Sequence, residues 1–398
     1  MTYASSPVPD SPAVENVFLK MLPITMAVFV GFLTMGQALP VLPLHLHYTL
    51  DMSPVIVGIA IGLQFAAALL SRAWAGGLSD TRGSKRAVIM GLLVASTAGV
   101  PYLLSLAFVG TPAVSVGVLM LGRLLLGCGE SLVVTGALSW GIALVGPHNA
   151  GKVMAWVGTA VYGAFAAGAP LGTFVYGRYD FIGIAFTTIV IPLVALGFVA
   201  PAVPVTVNPT HRVPFYKVLG SVWVPGLGMG LCCVGFGVIT TFIALLFAAK
   251  NWGSASLAFT SFGAAFILAR VFFAHLPDQA GGAKVALVCV LIEVVGLLLI
   301  WQAGSVTIAY AGAALTGFGY SLAFPGFGVE AVRRAPPQSR GAAMGAFVAF
   351  FDIAAGLTGP AAGAIASVAG VNAVYLGGAC AVALSAFVAA YLMANKPA

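Results

Sequence analysis

The chain has 398 residues, of which 61% are hydrophobic, against 17 basic and 10 acidic side chains. A soluble domain carries roughly 25% charged residues, whereas this chain has 7% and a mean hydropathy of +1.07. That composition excludes a soluble fold and places the chain in a lipid bilayer. The net charge of +7 is spread singly or in short clusters between apolar runs, so it does not form a nucleic-acid-binding surface.

The apolar runs, such as 87–110 and 285–301, are continuous rather than alternating. This excludes a β-barrel and fits spanning helices of about 20 residues. In chain order the sequence predicts spans at 21–46, 54–75, 87–109, 113–143, 153–176, 182–203, 219–246, 255–275, 285–303, 307–330, 342–366 and 372–394. The first twenty residues are polar and hold three prolines, so no cleavable signal peptide is expected. The polar stretch Pro204–Lys217 divides the chain into an N-terminal bundle (1–203), a linker (204–218) and a C-terminal bundle (219–398). The expected fold is an all-α membrane protein of twelve transmembrane helices in two pseudo-symmetric six-helix bundles.

Orientation follows from the cations. Alternate loops collect Lys20, Arg72, Arg82, Lys85, Arg86, Lys152, Arg212, Lys217, Arg270, Lys284, Arg333, Arg334, Arg340 and Lys396, while the other side holds Arg178 and Lys250. Basic loops stay inside, so both termini are expected in the cytoplasm of a bacterium, with the chain in its inner membrane. Arg123 is the remaining cation and falls within a span.

The halves repeat. At an offset of 198, Arg72, Leu78, Asp80 and Gly83 match Arg270, Leu276, Asp278 and Gly281. At an offset of 190, Gly127–Gly136 lies over Gly317–Gly326, and Pro147, Gly151, Met154 and Pro170 match Pro337, Gly341, Met344 and Pro360. In the second register Asp352 is the counterpart of Tyr162.

The run Gly76-Gly77-Leu78-Ser79-Asp80-Thr81-Arg82-Gly83-Ser84-Lys85-Arg86 resembles the signature loop between helices two and three of the major facilitator superfamily, with Thr81 and Ser84 departing from it. Arg123-x-x-x-Gly127-x-Gly129 is similar to that family's fourth-helix element. Gly158, Gly163 and Gly168-Ala169-Pro170-Leu171-Gly172 resemble its antiporter motif, a helix-packing element with Gly359 and Pro360 as counterparts in the eleventh span. The run 129–156 is also similar to a bacterial efflux-type subfamily of sugar or drug exporters. The resemblance implies a monomeric secondary transporter working by alternating access, with a small molecule and protons as partners and no cofactor. It further implies a gate built from Gly76, Asp80, Gly83, Arg86, Asp278 and Gly281. Asp80 would dock at the start of the eleventh helix beside Arg340 and Gly341, and Asp278 at the start of the fifth near Gly151. A simple helix-capping role is the alternative for both acids.

Charges within a bilayer cost about 2.5–3.5 kcal/mol each and mark function by default. The spans hold Arg123, Glu130, Glu293 and Asp352. Arg123 and Glu130 lie almost two turns apart on one face, which predicts either a shared polar cavity or a structural network to the first or second span. Arg123 is expected to find a carboxylate or several helix carbonyls. Glu293 is expected to be a hydrogen-bonded structural group. Gln37, Gln64 and Tyr162 are the other candidate cavity residues. Asp352, about eleven residues into its span and so near the midplane, is the expected proton carrier. His45 and His47, at i and i+2, do not share a helix face, and no metal site is expected. The five cysteines lie in apolar segments and read as core residues. No phosphate loop, H-E-x-x-H or G-x-S-x-G is present, so neither an enzyme nor an ATP-driven pump is expected. The functional expectation is proton-antiport export of a sugar-like or drug-like solute. The alternatives are a proton-coupled uptake symporter and a non-transporting membrane sensor.

Overall fold

A bilayer offers the backbone no water, so each apolar run must satisfy its peptide groups internally as helix. The computed structural model describes residues 17–146, 149–205, 215–335 and 340–395, and among them there is no strand. Helix α1 (Val17–Ala38) leads through α2 (Leu42–Leu44) and a π-helical turn (His45–Thr49) to α3 (Pro54–Arg82). Then follow α4 (Ser84–Thr97), α5 (Gly99–Leu106), α6 (Pro112–Val145) and α7 (Ala150–Val199). The second half holds α8 (Phe215–Ala249), α9 (Ser256–Phe273), α10 (Leu276–Ala280), α11 (Gly282–Trp301), α12 (Val306–Arg334), α13 (Arg340–Ala369) and α14 (Val371–Ala394). The linker residues 206–214, Pro147 and Pro337 lie outside the described residues.

Eleven of the described helical stretches are long and apolar enough to cross a membrane. One of them, α7, has 50 residues, roughly 75 Å of helix against a hydrocarbon core of about 30 Å. It breaks at Asp180, whose φ of 51° and ψ of −158° are non-helical. The break falls between the predicted fifth and sixth spans, so α7 supplies both and the twelve are complete. The third span is interrupted between α4 and α5, where Pro101 has no N–H to give the Thr97 carbonyl. Large apolar side chains such as Leu70, Phe174, Val271 and Phe387 stay exposed on the outside, a surface for lipid to cover.

The signature segment differs from its expected form as a loop. Helix α3 continues through Arg82, and a single residue, Gly83 at φ 91°, turns the chain into α4. Its counterpart Gly281, at φ 94°, turns α10 into α11. Only glycine adopts this conformation without steric cost. Arg72 and Arg270, counted above with the loop cations though inside the predicted spans, sit within α3 and α9.

The repeat extends to the packing. A Cβ on Gly127 of α6 would collide with the Gln64 carbonyl of α3, and one on Gly317 of α12 with the Phe262 carbonyl of α9. Likewise Gly129 lies against Gly91, and Gly319 against Cys289. Each pair is the other's equivalent at the two offsets. In the first half α1 also packs closely on α7, where Gly168 and Gly172 leave room for the backbone at Gly36 and Gln37, the small-residue contact that membrane helices favour.

The halves meet along two seams. In one, α3 and α13 run antiparallel, with Gly58 against Gly359, Gly62 against Gly356 and Gly363 against Pro54. In the other, Gly263 of α9 faces Ala166 and Tyr162 of α7, and the Thr260 hydroxyl donates to the Ala166 carbonyl at 2.9 Å. All these contacts lie toward the end remote from the chain termini. Gly345, about three turns from Gly356 on the same face of α13, has nothing within 4 Å of its Cβ position. The same holds for Gly151, about two turns from Gly158 on α7. The molecule is thus closed at the remote end and parts toward the end that carries the termini.

Candidate functional site

Between the seams lie two clusters that the sequence did not bring together. In the first, the Arg72 Nε donates to Asp352 Oδ2 at 2.8 Å, and Nη2 lies 2.5 Å from the same oxygen. Along α3, Arg72 lies about two turns beyond Phe65, the residue level with Asp352 through its contact with Phe351. Side chains lean toward the N-terminus of their own helix. Because α3 and α13 are antiparallel, Arg72 and Asp352 lean toward each other, and the long guanidinium arm closes the gap. The pair ties one half of the molecule to the other.

Beside it, Gln64 Nε2 donates to Glu130 Oε2 at 2.8 Å. Glu130 is within electrostatic reach of Asp352, Arg72 and Arg123. Arg123 is fully buried, and its Nε donates to the Ala60 carbonyl at 3.2 Å. Among the described residues it is in no ion pair, and this one helix carbonyl is its hydrogen-bond partner.

The second cluster is aromatic. The Tyr162 hydroxyl donates to the Tyr320 hydroxyl oxygen at 3.0 Å, again across the halves. Tyr162 stacks on Phe266 with centroids 3.9 Å apart, and Phe236 stacks on both Phe165 and Tyr320. Arg270 lies over the Phe266 ring at 5.0 Å, a cation–π contact. Its Nη2 donates to the Ser321 carbonyl at 3.3 Å, while its buried Nε has no partner.

Other expected residues lie elsewhere. Gln37 faces away from both clusters: its Nε2 donates to Thr188 at 3.2 Å, and Thr187 donates to its Oε1 at 2.8 Å. It locks α1 to the last part of α7 and does not line a cavity. Glu293 is buried beside α8, where the Cys232 thiol donates to it at 2.9 Å. Asp80 is half-buried, and the side chain of Arg340 lies outside what is described. Asp278 is exposed and, among the described residues, has no hydrogen-bond or ion-pair partner. It and Gly151 are not brought together in this conformation, and Gly76 and Arg86 flank the Gly83 turn. Within the packing elements, Gly158 faces Arg270, Gly163 lies near Phe29 and Ile267, Pro170 sits between Gly168 and Gly172, and Pro360 adjoins Gly62.

An acid at the edge of the predicted tenth span, not singled out from the sequence, caps a helix of its own half. Glu330 accepts from the Ala283 N–H at the start of α11 at 3.3 Å and lies 3.6 Å from Arg334. A carboxylate there satisfies a free amide and opposes the helix dipole. Sequence reasoning also missed Arg72 and Arg270 as interior groups. The signal was available: both arginines match in the repeat, on the same side of the repeated glycine turn.

Comparison with known proteins agrees with this architecture. Residues 24–249 and 226–398 match the Major Facilitator Superfamily. A Pseudomonas aeruginosa protein is 43% identical over 370 residues, covering 93% of this chain and 92% of its own. A Salmonella typhimurium protein is 42% identical over 364 residues, covering 91% and 93%. Both are named only as uncharacterized MFS-type transporters. The crystal structure of the nucleoside transporter NupG (D323A mutant) superposes with a TM-score of 0.76 at 13% identity, covering 94% of this chain and 99% of that one. That likeness speaks for the fold alone.

Proposed function

This chain belongs to the Major Facilitator Superfamily and is a multi-pass membrane transporter rather than an enzyme, and from that premise we propose that it exports a small organic solute in exchange for protons. The observation that carries the reading is the Arg72–Asp352 pair, an ion pair between the halves in the membrane interior. A charge left alone there is costly, so the protonation state of Asp352 is coupled to whether the seam holds. Ionised, Asp352 holds Arg72 across α3 and α13 with the remote end closed. Protonated, it frees Arg72 to turn toward Glu130, and the seam can open.

The basic bias of the loops at the termini supports placing that end in the cytoplasm of a bacterial cell, with the chain in the inner membrane. In this orientation the conformation described is open to the cytoplasm, with Asp352 deprotonated and the site ready for solute. Solute binding closes the open end, and a proton reaching Asp352 from outside releases the remote end. Solute then leaves outward, and the empty, protonated carrier returns to give its proton to the cytoplasm. The two bundles, 1–203 and 219–398, rock as units about the linker 204–218, and one monomer suffices. The glycines of α7 around Pro170 support export over uptake through their resemblance to the antiporter motif.

Everted membrane vesicles test the direction. Acidifying their lumen should drive accumulation of the exported solute, and the accumulation should collapse with a protonophore. Accumulation driven instead by an acid exterior would identify an uptake symporter.

A further inference from the structure

The two arginines matched by the repeat have unequal surroundings. Arg72 of α3 faces Asp352 of α13. Arg270 of α9 faces α7, where the position equivalent to Asp352 is Tyr162, a neutral side chain. Its partners are a single carbonyl and the Phe266 ring, and its Nε is sealed from solvent without a hydrogen bond. Among the described residues no acid pairs with it. Of the two arginines matched across the seams, Arg72 is paired with an acid from the other half and Arg270 is not.

The face of α7 opposite this guanidinium carries no side chain. Across the seam stands Gly158, where a Cβ would come within 3.2 Å of Arg270 Nη1 and meet no atom other than that guanidinium within 4 Å. Next to it the rings of Tyr162, Phe236, Phe262, Phe266 and Tyr320 form an apolar wall with two hydroxyls at its edge. Rings of this kind hold a flat apolar body, while the planar fork of arginine matches a carboxylate with two parallel hydrogen bonds.

We propose that the transported solute is an organic carboxylate, its acid group bound by Arg270 opposite Gly158 and its apolar body seated against the Tyr162–Tyr320 aromatic cluster. This rests on the transporter reading given above. The carboxylate supplies to the α7–α9 seam the negative charge that Asp352 supplies to the α3–α13 seam. Solute binding then draws α7 and α9 together beyond Thr260, toward the end that is open. Charge balance gives the antiport its logic: the anion is bound when Asp352 is ionised and paired with Arg72, so the two acids hold one seam each.

The test uses the purified full-length protein in detergent and needs no gradient. The probes are acetate, benzoate, phenylacetate and 1-naphthoate, each with its neutral amide, plus benzylamine as the cationic control. Binding is read as the concentration-dependent rise in unfolding temperature. The aromatic carboxylates should stabilise the wild type more than acetate, and the matched amides and benzylamine should not. Arg270→Gln should weaken carboxylate binding about 30-fold or more, and Arg270→Lys should weaken it less while keeping the preference for acid over amide. Gly158→Val, which crowds the guanidinium and leaves its charge, should also abolish the shift. Equal binding of amides and acids, undiminished binding in Arg270→Gln and Gly158→Val, or no carboxylate-dependent shift across the panel would each overturn the proposal. Failure of the transport reading shows differently: carboxylates would bind at Arg270, yet no gradient would move them in vesicles. Conversely, proton-driven movement of neutral solutes alone would keep the transporter and remove the anion.

Discussion

Asp352 and Arg72 illustrate how a charge can be found from sequence while its partner is missed. An acid in the middle of an apolar run is conspicuous, and Asp352, Glu130 and Arg123 were all legible for that reason. Arg72 was not, because it stands near the end of the predicted span 54–75, where hydropathy falls toward the polar signature segment, and so counts with the cations of the cytoplasmic end. The structure keeps α3 helical past it, and a long side chain leaning back toward its N-terminus delivers the charge to the interior. Gln37 failed in the opposite way: polarity within a span suggested the cavity, but nothing in the sequence shows which face of α1 meets α7. The pair makes a direct prediction. Asp352→Ala or Arg72→Ala leaves one buried charge uncompensated and should cost about 3 kcal/mol. The double variant should cost less than the sum of the singles, by a coupling energy of about 1–3 kcal/mol. Reversible denaturation in mixed micelles measures all four corners of the cycle, and strict additivity would show that the two groups are independent.

At the scale of helices, the spans were legible because apolar length decides them, and their ends were less so. The segment Gly76–Arg82 looks like a loop by composition, yet only Gly83 is required to turn, since one residue with positive φ reverses the chain. Where the glycines matter most is at the α3–α13 seam, and their roles emerged only when the two helices were seen together. A Cβ on Gly58 would meet the backbone of Gly359, which cannot move aside as a side chain could. Gly58→Ala should therefore oppose closure of the remote end and shift the population toward the state open there. A cysteine introduced at Ala362, buried near that end of α13, should react faster with a membrane-impermeant maleimide in the variant than in the parent, after replacement of the native cysteines. An unchanged rate would mean that closure does not depend on this contact.

For the molecule as a whole, the two offsets read from sequence reappear as equivalent backbone contacts, Gly127 on Gln64 and Gly317 on Phe262 among them. The repeat was legible because close helix packing admits few residues other than glycine. Its functional content lies in the places where the halves differ, and these needed the structure: an acid opposite Arg72 against a tyrosine opposite Arg270, and Glu330 capping α11 where the equivalent position in the first half is Trp140. Which end of the molecule is closed was likewise beyond a sequence that must serve both states. The account's central claim is that Asp352 couples proton movement to the rocking of the two halves. Reconstituted proteoliposomes test it most directly, by comparing gradient-driven accumulation of a transported solute with its gradient-free exchange in wild type, Asp352→Asn and Glu130→Gln over pH 6–9. The account predicts that Asp352→Asn, fixed as a neutral group, retains exchange and loses accumulation across the whole pH range. Full proton-driven accumulation in Asp352→Asn, together with its loss in Glu130→Gln, would contradict the claim and move the proton to Glu130.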